Sequence, residues 1–254
     1  MCIRDRALFE RVGNRVRLAP SGVRYAAQVG EILDRLERES QYLMGQPAGA
    51  ASLHLAVIPT FATRWLIPRL PRFQQDHPHI TLHIAERMEP FVLAGSGFDA
   101  ALHFEHPAWA GMRTHRLLEE VLIPVCSPSL LAGHPQDGGL DALPRLHRMQ
   151  NPDAWQRYAE ETGVALTHPA VGSRFDLHAM LIEAALCGLG VALVPRLYVE
   201  AELAQGRLLA PWPQSPSVAK TFCLVLPEPL GLSEAPLQAF VRWMLAEAQT
   251  ARSA

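Results

Sequence analysis

The sequence predicts an α/β protein with a mainly parallel sheet, preceded by a long helix of a different type. Three observations support this class. Apolar runs alternate with segments of helical periodicity over most of the 254 residues, which is typical of βα units. A heptad pattern precedes the first of these runs, and a linker containing Gly and Pro separates the two. Apolar residues make up 49% of the chain, which is enough to bury a sizeable core.

The first element is a basic hairpin. Up to Arg24 the chain carries six arginines against two carboxylates, although the whole chain has a net charge of −2. Two short strand patterns flank Gly13-Asn14, and both residues tolerate the positive φ of a tight turn. Arg11, Arg15 and Arg17 of this hairpin are therefore candidates for contacts to DNA phosphates. The alternative is a solvated hairpin with no partner.

The second element is a helix expected over residues 20–45. Its apolar stripe recurs at alternating steps of three and four, and charged residues fill the other faces. The stripe consists of Ala26, Val29, Leu33, Leu36, Ser40 and Leu43. So narrow a stripe favours pairing with another helix, and Val29, Leu33, Leu36 and Leu43 are the candidate dimerisation residues. The alternative is a helix that lies on its own domain.

The third element is a buried strand over 53–58 that stops at Pro59. Thr60 then stands where a helix begins, and a helix N-terminus presents unpaired N–H groups and a partial positive charge. Ligands of parallel sheets bind beyond the carboxyl ends of the strands, and Phe104 ends another predicted strand at the same edge. Thr60 is thus a candidate contact for a small carboxylate. The alternative is an ordinary turn in which Thr60 only caps the helix.

The remaining elements follow from similar signals. Further strands are expected over 80–84, 98–104, 122–126, 191–195 and 221–226. Ser127-Pro128 and Asn151-Pro152-Asp153 indicate helix starts, because a polar cap followed by proline suits the first turn. Asp176 is expected to cap a helix that ends near Gly188, and a last amphipathic helix is expected over 234–248.

Composition excludes several classes of protein. No run approaches the roughly 20 apolar residues of a membrane span, and residues 1–6 lack a signal-peptide core, so we expect a cytoplasmic protein without membrane partners. The four cysteines have neither zinc-ligand nor disulfide spacing and are expected to be reduced, mostly buried thiols.

The sequence also lacks the motifs of common catalytic sites. It has no GxSxG, P-loop or HExxH motif, and Lys220 is its sole lysine, which excludes most Schiff-base schemes. His79 and His83 lie on one strand face without a third fixed ligand. Glu119 and Glu120 are interpreted as surface carboxylates. We expect no catalysis, no metal and no cofactor.

Several segments carry one family pattern through their order and spacing. They are Ala7-Leu8-Phe9-Glu10-Arg11 with Leu18-Ala19-Pro20-Ser21-Gly22, Trp65-Leu66-Ile67-Pro68-Arg69-Leu70 with His77-Pro78-His79-Ile80, Phe98-Asp99-Ala100-Ala101, Pro124-Val125-Cys126-Ser127-Pro128, and the run from Ala184 to Pro195. Together they resemble the LysR-type transcriptional regulators. The passages 61–65 and 175–176 are most similar to the branch that holds glycine-cleavage activators and β-lactamase regulators.

The resemblance implies two Rossmann-like subdomains of periplasmic-binding-protein type II, with a small-molecule effector in the cleft. The chain would cross between them near Ile123 and Leu226. The implied organisation is a wing remnant at 1–19, a linker helix at 20–45, subdomain I at 52–123 and 228–250, and subdomain II at 124–227. The implied effector contacts are Thr60, Phe61, Phe175, Asp176 and His178, with Phe104 and Ser127 at the cleft edge.

Two departures from the family pattern affect DNA binding. In the family three helices, including the recognition helix, precede the wing, whereas the wing begins here at residue 7. We therefore expect most of the winged helix-turn-helix to be missing and the wing arginines to make only nonspecific phosphate contacts. Ala19 replaces the usual capping Thr of the linker helix, at a cost of about 1 kcal/mol.

The resulting hypothesis is the effector-binding and oligomerising part of a transcription regulator. It would sense an amino acid or small carboxylate, form a homodimer or homotetramer and, by resemblance, act in the full-length protein on DNA and RNA polymerase. A freestanding solute-binding protein is the first alternative, against which the heptad helix and the missing signal peptide count. An enzyme on the same architecture is the second, and it lacks a plausible catalytic pair.

Overall fold

The computed structural model describes residues 2–3, 6–13, 15–45, 51–133, 136–227 and 234–252. The chain divides into two units, Met1–Ala50 and Ala51–Ala254. The expected turn residue Asn14, the linker 46–50 and the segment 228–233 lie outside the described residues, as does the side chain of Leu43.

The first unit contains the predicted hairpin and the predicted helix. Strand β1 (Cys2–Ile3) pairs antiparallel with β2 (Arg6–Ala7), and β3 (Phe9–Val12) pairs antiparallel with β4 (Arg15–Leu18). Helix α1 then runs over Pro20–Gly45, with the bounds that the heptad pattern predicts.

The hairpin contacts the start of α1 through its backbone. The N–H of Ala19 donates to the carbonyl oxygen of Leu8 at 2.9 Å, and the Ser21 hydroxyl donates to the carbonyl of Ala7 at 2.6 Å. A Cβ at Gly22 would lie 1.9 Å from the Leu8 carbonyl oxygen, so this approach requires glycine. Leu8 is buried here, whereas Val16 of β4 is exposed.

The second unit contains one eight-stranded sheet. Its strands are β5 (Ala51–Val57), β6 (Ile80–Glu86), β7 (Ala100–Phe104), β8 (Arg113–Val125), β9 (Arg145–Arg148), β10 (Ser173–Phe175), β11 (Val191–Pro195) and β12 (Val218–Leu226). Their order across the sheet is β10-β9-β11-β8-β12-β7-β5-β6. The four outer pairings are parallel and the three central ones antiparallel, so the α/β class is confirmed, and the sheet has an antiparallel centre between two parallel parts.

Strands β8 and β12 connect the two halves of this sheet. Residues 113–121 of β8 pair with β12 in the first half, which also holds β5, β6 and β7, whereas Leu122–Val125 pair with β11 in the second half with β9 and β10. The N–H of Ser215 donates to the carbonyl of Leu122 at 2.8 Å, just ahead of β12. Leu226, where the second crossing was expected, lies at the far end of β12 opposite Arg113.

Helices cover the sheet and bury its core. They are α2 (Pro59–Phe61), α3 (Leu70–Asp76), α4 (Pro128–Ala132), α5 (Ala154–Thr162), α6 (His178–Leu186), α7 (Glu200–Ala204) and α8 (Glu234–Arg252). A π turn at Ala62–Leu66 and a 3-10 turn at Ile67–Arg69 join α2 to α3. As the sequence predicts, Pro128 lies in the first turn of α4, and Gly163, with φ of 72°, ends α5.

Cys126, Cys187 and Cys223 are unpaired thiols. Cys126 and Cys223 are buried, and burial raises the pKa of each to about 11, whereas Cys187 is exposed. Within the described residues, no helix has the length and apolar character that crossing a membrane requires.

Candidate functional site

Thr60 links the first turn of α2 to the start of α6. Its hydroxyl oxygen accepts a hydrogen bond from the backbone N–H of Ala179 at 3.3 Å. The cap of α2 is Ile58, so Thr60 does not cap its own helix. It instead pairs one of the N–H groups that the first turn of α6 leaves unsatisfied. Thr60 is 4% exposed and therefore belongs to a packed junction.

One turn further on, an ion-pair network joins the same segment to α6 and α7. The guanidinium of Arg64 donates to Glu202 at 2.6 Å and to Glu183 at 2.7 Å. Arg207 donates to the same oxygen of Glu202 at 3.1 Å. Because Arg64 follows β5 and both glutamates follow strands of the second half, the network connects the two halves of the unit.

Two predicted effector residues have structural partners. Phe61 is fully buried and stacks on Trp65 and Phe222, with ring centroids 5.0 and 4.7 Å away. The hydroxyl of Ser127 accepts from the N–H of Leu130 at 3.3 Å and so caps α4. Their roles as effector contacts stay predictions.

Phe104, Phe175 and Asp176 lie at strand ends. Phe104 is half-buried at the end of β7, and Phe175 ends β10. A carboxylate oxygen of Asp176 accepts from the side-chain amide of Gln150. The prediction that Asp176 caps α6 is wrong, because Leu177 occupies that position and no side chain caps the helix.

His178 lines a cavity of about 260 Å³ that we call the Arg148 cavity. It opens beside the end of β9 and the start of α6, and strands β8 and β12 supply its floor. The charged and polar side chains of its lining are Glu120, Arg148, Gln150, Asn151, Arg157, Tyr158, Glu161, His178, Ser215, Ser217 and Lys220. Of the seven predicted effector residues, His178 alone is among the described residues that line it.

Three cationic side chains line this cavity: Arg148, Lys220 and Arg157, of which Arg157 donates to the side chain of Asn151. Arg148, the last residue of β9, lies 3.4 Å from Nδ1 of His178 and donates to Gln150 at 3.1 Å. Burial, followed by the charge of Arg148, holds the pKa of His178 well below its usual value, so the neutral ring accepts from the guanidinium. The Lys220 ammonium lies over the Phe104 ring, 4.4 Å from its centroid.

Glu120 adds a carboxyl group to the lining of the same cavity, close enough to Lys220 and Arg148 for their charges to act on it. It is 3% exposed, and its Oε1 has no hydrogen-bond partner among the described residues. Burial raises the pKa of Glu120 to about 7, although the charges of Lys220 and Arg148 oppose the change. The expectation that Glu120 is a surface carboxylate is therefore wrong. Glu119, its neighbour on β8, is exposed as expected and faces a different cavity of about 440 Å³.

Glu120, Arg148 and Lys220 are among the cavity residues that were not predicted, although the sequence carried a signal for two of these three. Glu120 interrupts the apolar pattern of 117–123, and Lys220 is the sole lysine of the chain. Arg148 belongs to β9, a strand that was not predicted.

The other predicted residues lie on the first unit. Arg11, Arg15 and Arg17 are exposed on the β3–β4 hairpin. Within the stripe of α1, Leu33 and Leu36 are 56% and 62% exposed and Val29 is half-buried. In the described part of the chain, no three His, Cys, Asp or Glu side chains are grouped as metal ligands would be.

Comparisons with known proteins agree on one family. The family model described as LysR substrate binding domain matches residues 46–249. The chain is 32% identical to the glycine cleavage system transcriptional activator of Escherichia coli over 251 residues, covering 95% of this chain and 79% of that protein. It is 36% identical to the HTH-type transcriptional regulator TrpI of Pseudomonas aeruginosa over 215 residues, covering 81% and 71%.

A solved structure supports the same assignment. The effector domain of the transcriptional regulator AmpR of Pseudomonas aeruginosa aligns with a TM-score of 0.66 and 28% identity. The alignment covers 78% of this chain and 96% of that domain.

Proposed function

The chain belongs to the LysR family of transcriptional regulators, and from that premise we propose that the Arg148 cavity binds its small-molecule effector. The proposed ligand is a small anionic metabolite, such as an amino acid or a small carboxylate. One observation carries this proposal: Arg148 and Lys220 both face a cavity of about 260 Å³ at the carboxyl end of a parallel strand. Ligands of α/β sheets bind at such edges.

The surroundings of the cavity support an anionic ligand. Arg148 presents a planar guanidinium that can bind a carboxylate through two parallel hydrogen bonds. The start of α6 lies beside it and contributes a partial positive charge. A volume of about 260 Å³ is small, which favours a metabolite of a few heavy atoms over a nucleotide or a peptide.

The proposed mechanism couples the ligand to the two halves of the sheet. Lys220 and Glu120 lie on the crossing strands, whereas Arg148 and His178 belong to the second half. A ligand that binds residues of the crossing strands and residues of the second half together favours one arrangement of the two halves, provided that its affinity differs between arrangements. We place subdomain II between the crossing in β8 and Val218, rather than extending it to residue 227.

The first unit has two further proposed roles. The exposed leucines of α1 pair two copies of the chain into a homodimer. Two such dimers can associate into a homotetramer. Arg11, Arg15 and Arg17 contact DNA phosphates, and RNA polymerase is a partner by family resemblance. The protein acts in the cytoplasm and binds its effector without turnover. The exposed leucine stripe counts against the alternative of a freestanding solute-binding protein.

The substitution Arg148→Gln tests the cavity. Amino acids and small carboxylates are screened by thermal shift, and each hit is measured by calorimetry. We expect Arg148→Gln to weaken binding at least tenfold, because a charge-assisted hydrogen bond contributes about 1.5–3 kcal/mol. Arg174→Gln is the matched control, since Arg174 is an exposed arginine of β10 that donates to the Ala170 carbonyl.

Unchanged affinity in Arg148→Gln would place the ligand elsewhere. Recovery of each hit by mass spectrometry after incubation tests the absence of turnover, and conversion of a hit would favour the enzyme.

A further inference from the structure

A carboxyl group on the floor of an anion site is unfavourable unless it has a partner. Glu120 is almost completely buried, and Oε1 has no hydrogen-bond partner among the described residues. A site built only for carboxylates would bind more tightly with an apolar or amide side chain at this position, because two like charges in a buried site repel.

The two nearby cations are directed to other partners. Lys220 is the cross-strand neighbour of Glu120, but its ammonium lies over the Phe104 ring. Arg148 is directed to His178 and Gln150. The other two charged residues of the lining also have partners, since Arg157 donates to Asn151 and Glu161 accepts from the Ser215 hydroxyl. Glu120 is therefore the carboxyl group of the lining that is left without a hydrogen bond at one oxygen.

We propose that the effector carries a positively charged nitrogen beside its anionic group, and that Glu120 binds this nitrogen while Arg148 and Lys220 hold the anion. This inference rests on the proposed function of the Arg148 cavity and narrows its ligand class. An α-amino acid is the smallest common metabolite that carries both charges. Glu120 is then the residue that distinguishes an amino acid from a carboxylate without an amine.

The proposal predicts how affinity changes with pH. The charged and titratable groups around Glu120 come from five elements. They are Lys220 from β12, Arg148 from β9, His178 from α6, Tyr198 after β11, and Arg157, Tyr158 and Glu161 from α5. Burial lowers the pKa of His178 well below its usual value and raises that of Tyr198 well above it, so both shifts lead away from the range between pH 6 and 8. Burial raises the pKa of Glu120 to about 7, so Glu120 ionises in this range.

An ammonium group binds the ionised carboxylate, so the affinity for an amino acid rises about tenfold from pH 6 to pH 8. A carboxylate without an amine is repelled by the same charge, and its affinity falls over the same range.

The experiment uses the full chain and matched ligand pairs. Each amino acid is compared by calorimetry with the acid that lacks its amine, for example alanine with propionate and aspartate with succinate, at pH 6 and pH 8. Glu120→Gln removes the charge at nearly constant shape. Glu119→Gln is the control, because Glu119 is exposed and faces the other cavity.

The expected result has three parts. One or more amino acids bind at least tenfold more tightly than their partners at pH 8, and their affinity rises with pH. Glu120→Gln abolishes both effects, and Glu119→Gln abolishes neither.

Three results would overturn the inference. If amine-free acids bind as tightly as amino acids and still require Arg148, the ligand class is wrong but the proposed cavity stands. If binding does not require Arg148, the cavity and the inference both fail. If no amino acid in the panel binds, the inference fails as well. The pH dependence of the unsubstituted chain needs no variant, so it decides the matter even if Glu120→Gln does not fold.

Discussion

Glu120 makes the stability of the second unit depend on pH. Its pKa is raised from 4.5 to about 7 by burial, so the folded state holds its proton more tightly than the unfolded chain does. The cost of ionising Glu120 in the folded state lowers the free energy of unfolding. This cost is absent below pH 4.5, grows as pH rises toward 7 and is complete above that value. Its full size is about 3 kcal/mol.

The substitution Glu120→Gln should therefore stabilise the protein at pH 8 by up to about 3 kcal/mol and have little effect at pH 4.5. Urea unfolding followed by circular dichroism at both pH values measures the difference. The matched Glu119→Gln variant should show no such dependence. Equal stability of Glu120→Gln and the unsubstituted chain at pH 8 would contradict the buried, unpaired carboxylate.

At the level of single residues, the sequence predicted positions better than partners. Thr60 was expected at the start of the first helix of the second unit, and it lies in the first turn of α2. Its bond to Ala179 spans 119 residues, and no local pattern specifies so distant a partner. Glu120 was interpreted as a surface residue because it is charged. Its position on β8, opposite Lys220 of β12, instead leaves it buried.

Among the elements, the Arg64 network is the shorter of two charged contacts described here between the two halves, the other being Arg69–Glu200 at 3.7 Å. The Glu202 side chain is 5% exposed, and Arg207, its remaining partner, is 50% exposed. Removing Arg64 leaves a buried carboxylate with one partly solvated cation. Arg64→Gln is therefore expected to destabilise the second unit by about 2 kcal/mol.

Urea unfolding measures this cost, and Arg72→Gln serves as the control. Arg72 is 71% exposed and lies 3.4 Å from Glu247, so its loss should cost less than about 0.5 kcal/mol. The double variant Arg64→Gln with Glu202→Gln should recover part of the loss, because no buried charge remains. An effect of Arg64→Gln as small as that of Arg72→Gln would show that the network adds little.

The element boundaries show where sequence patterns carry information. Caps and glycines marked α4, α5 and the end of α6, and apolar runs marked six strands. Strand β9 and strand β10 were missed because each is short and rich in charged or polar residues. The antiparallel centre of the sheet was missed because residues 113–121 of β8 are mostly polar without a period of two, and because they pair with β12, about 100 positions away.

For the whole molecule, the exposed stripe of α1 predicts self-association. The substitutions Leu33→Glu and Leu36→Glu would place negative charges in the apolar interface between two paired helices. We expect the unsubstituted chain to dimerise with increasing concentration in sedimentation velocity, and Leu33→Glu with Leu36→Glu to remain monomeric.

Arg24→Glu is the control for this experiment. Arg24 is exposed and nine residues from Leu33, which places it on the opposite side of the helix. Dimers that survive the double substitution, or a chain that stays monomeric at every concentration, would contradict the proposed pairing.

The hydrogen bond between Ser215 and Leu122 brings together the two ends of one continuous segment of the chain. Residues 123–214 therefore form a cassette whose entry and exit adjoin, a geometry that tolerates exchange between related proteins. Recombination at these two points would transfer Arg148 and His178 to a new host, while Glu120 and Lys220 would remain with the recipient. Chimeras of this kind would combine Arg148, the proposed anion-binding residue, from one protein with Glu120, the proposed ammonium-binding residue, from another.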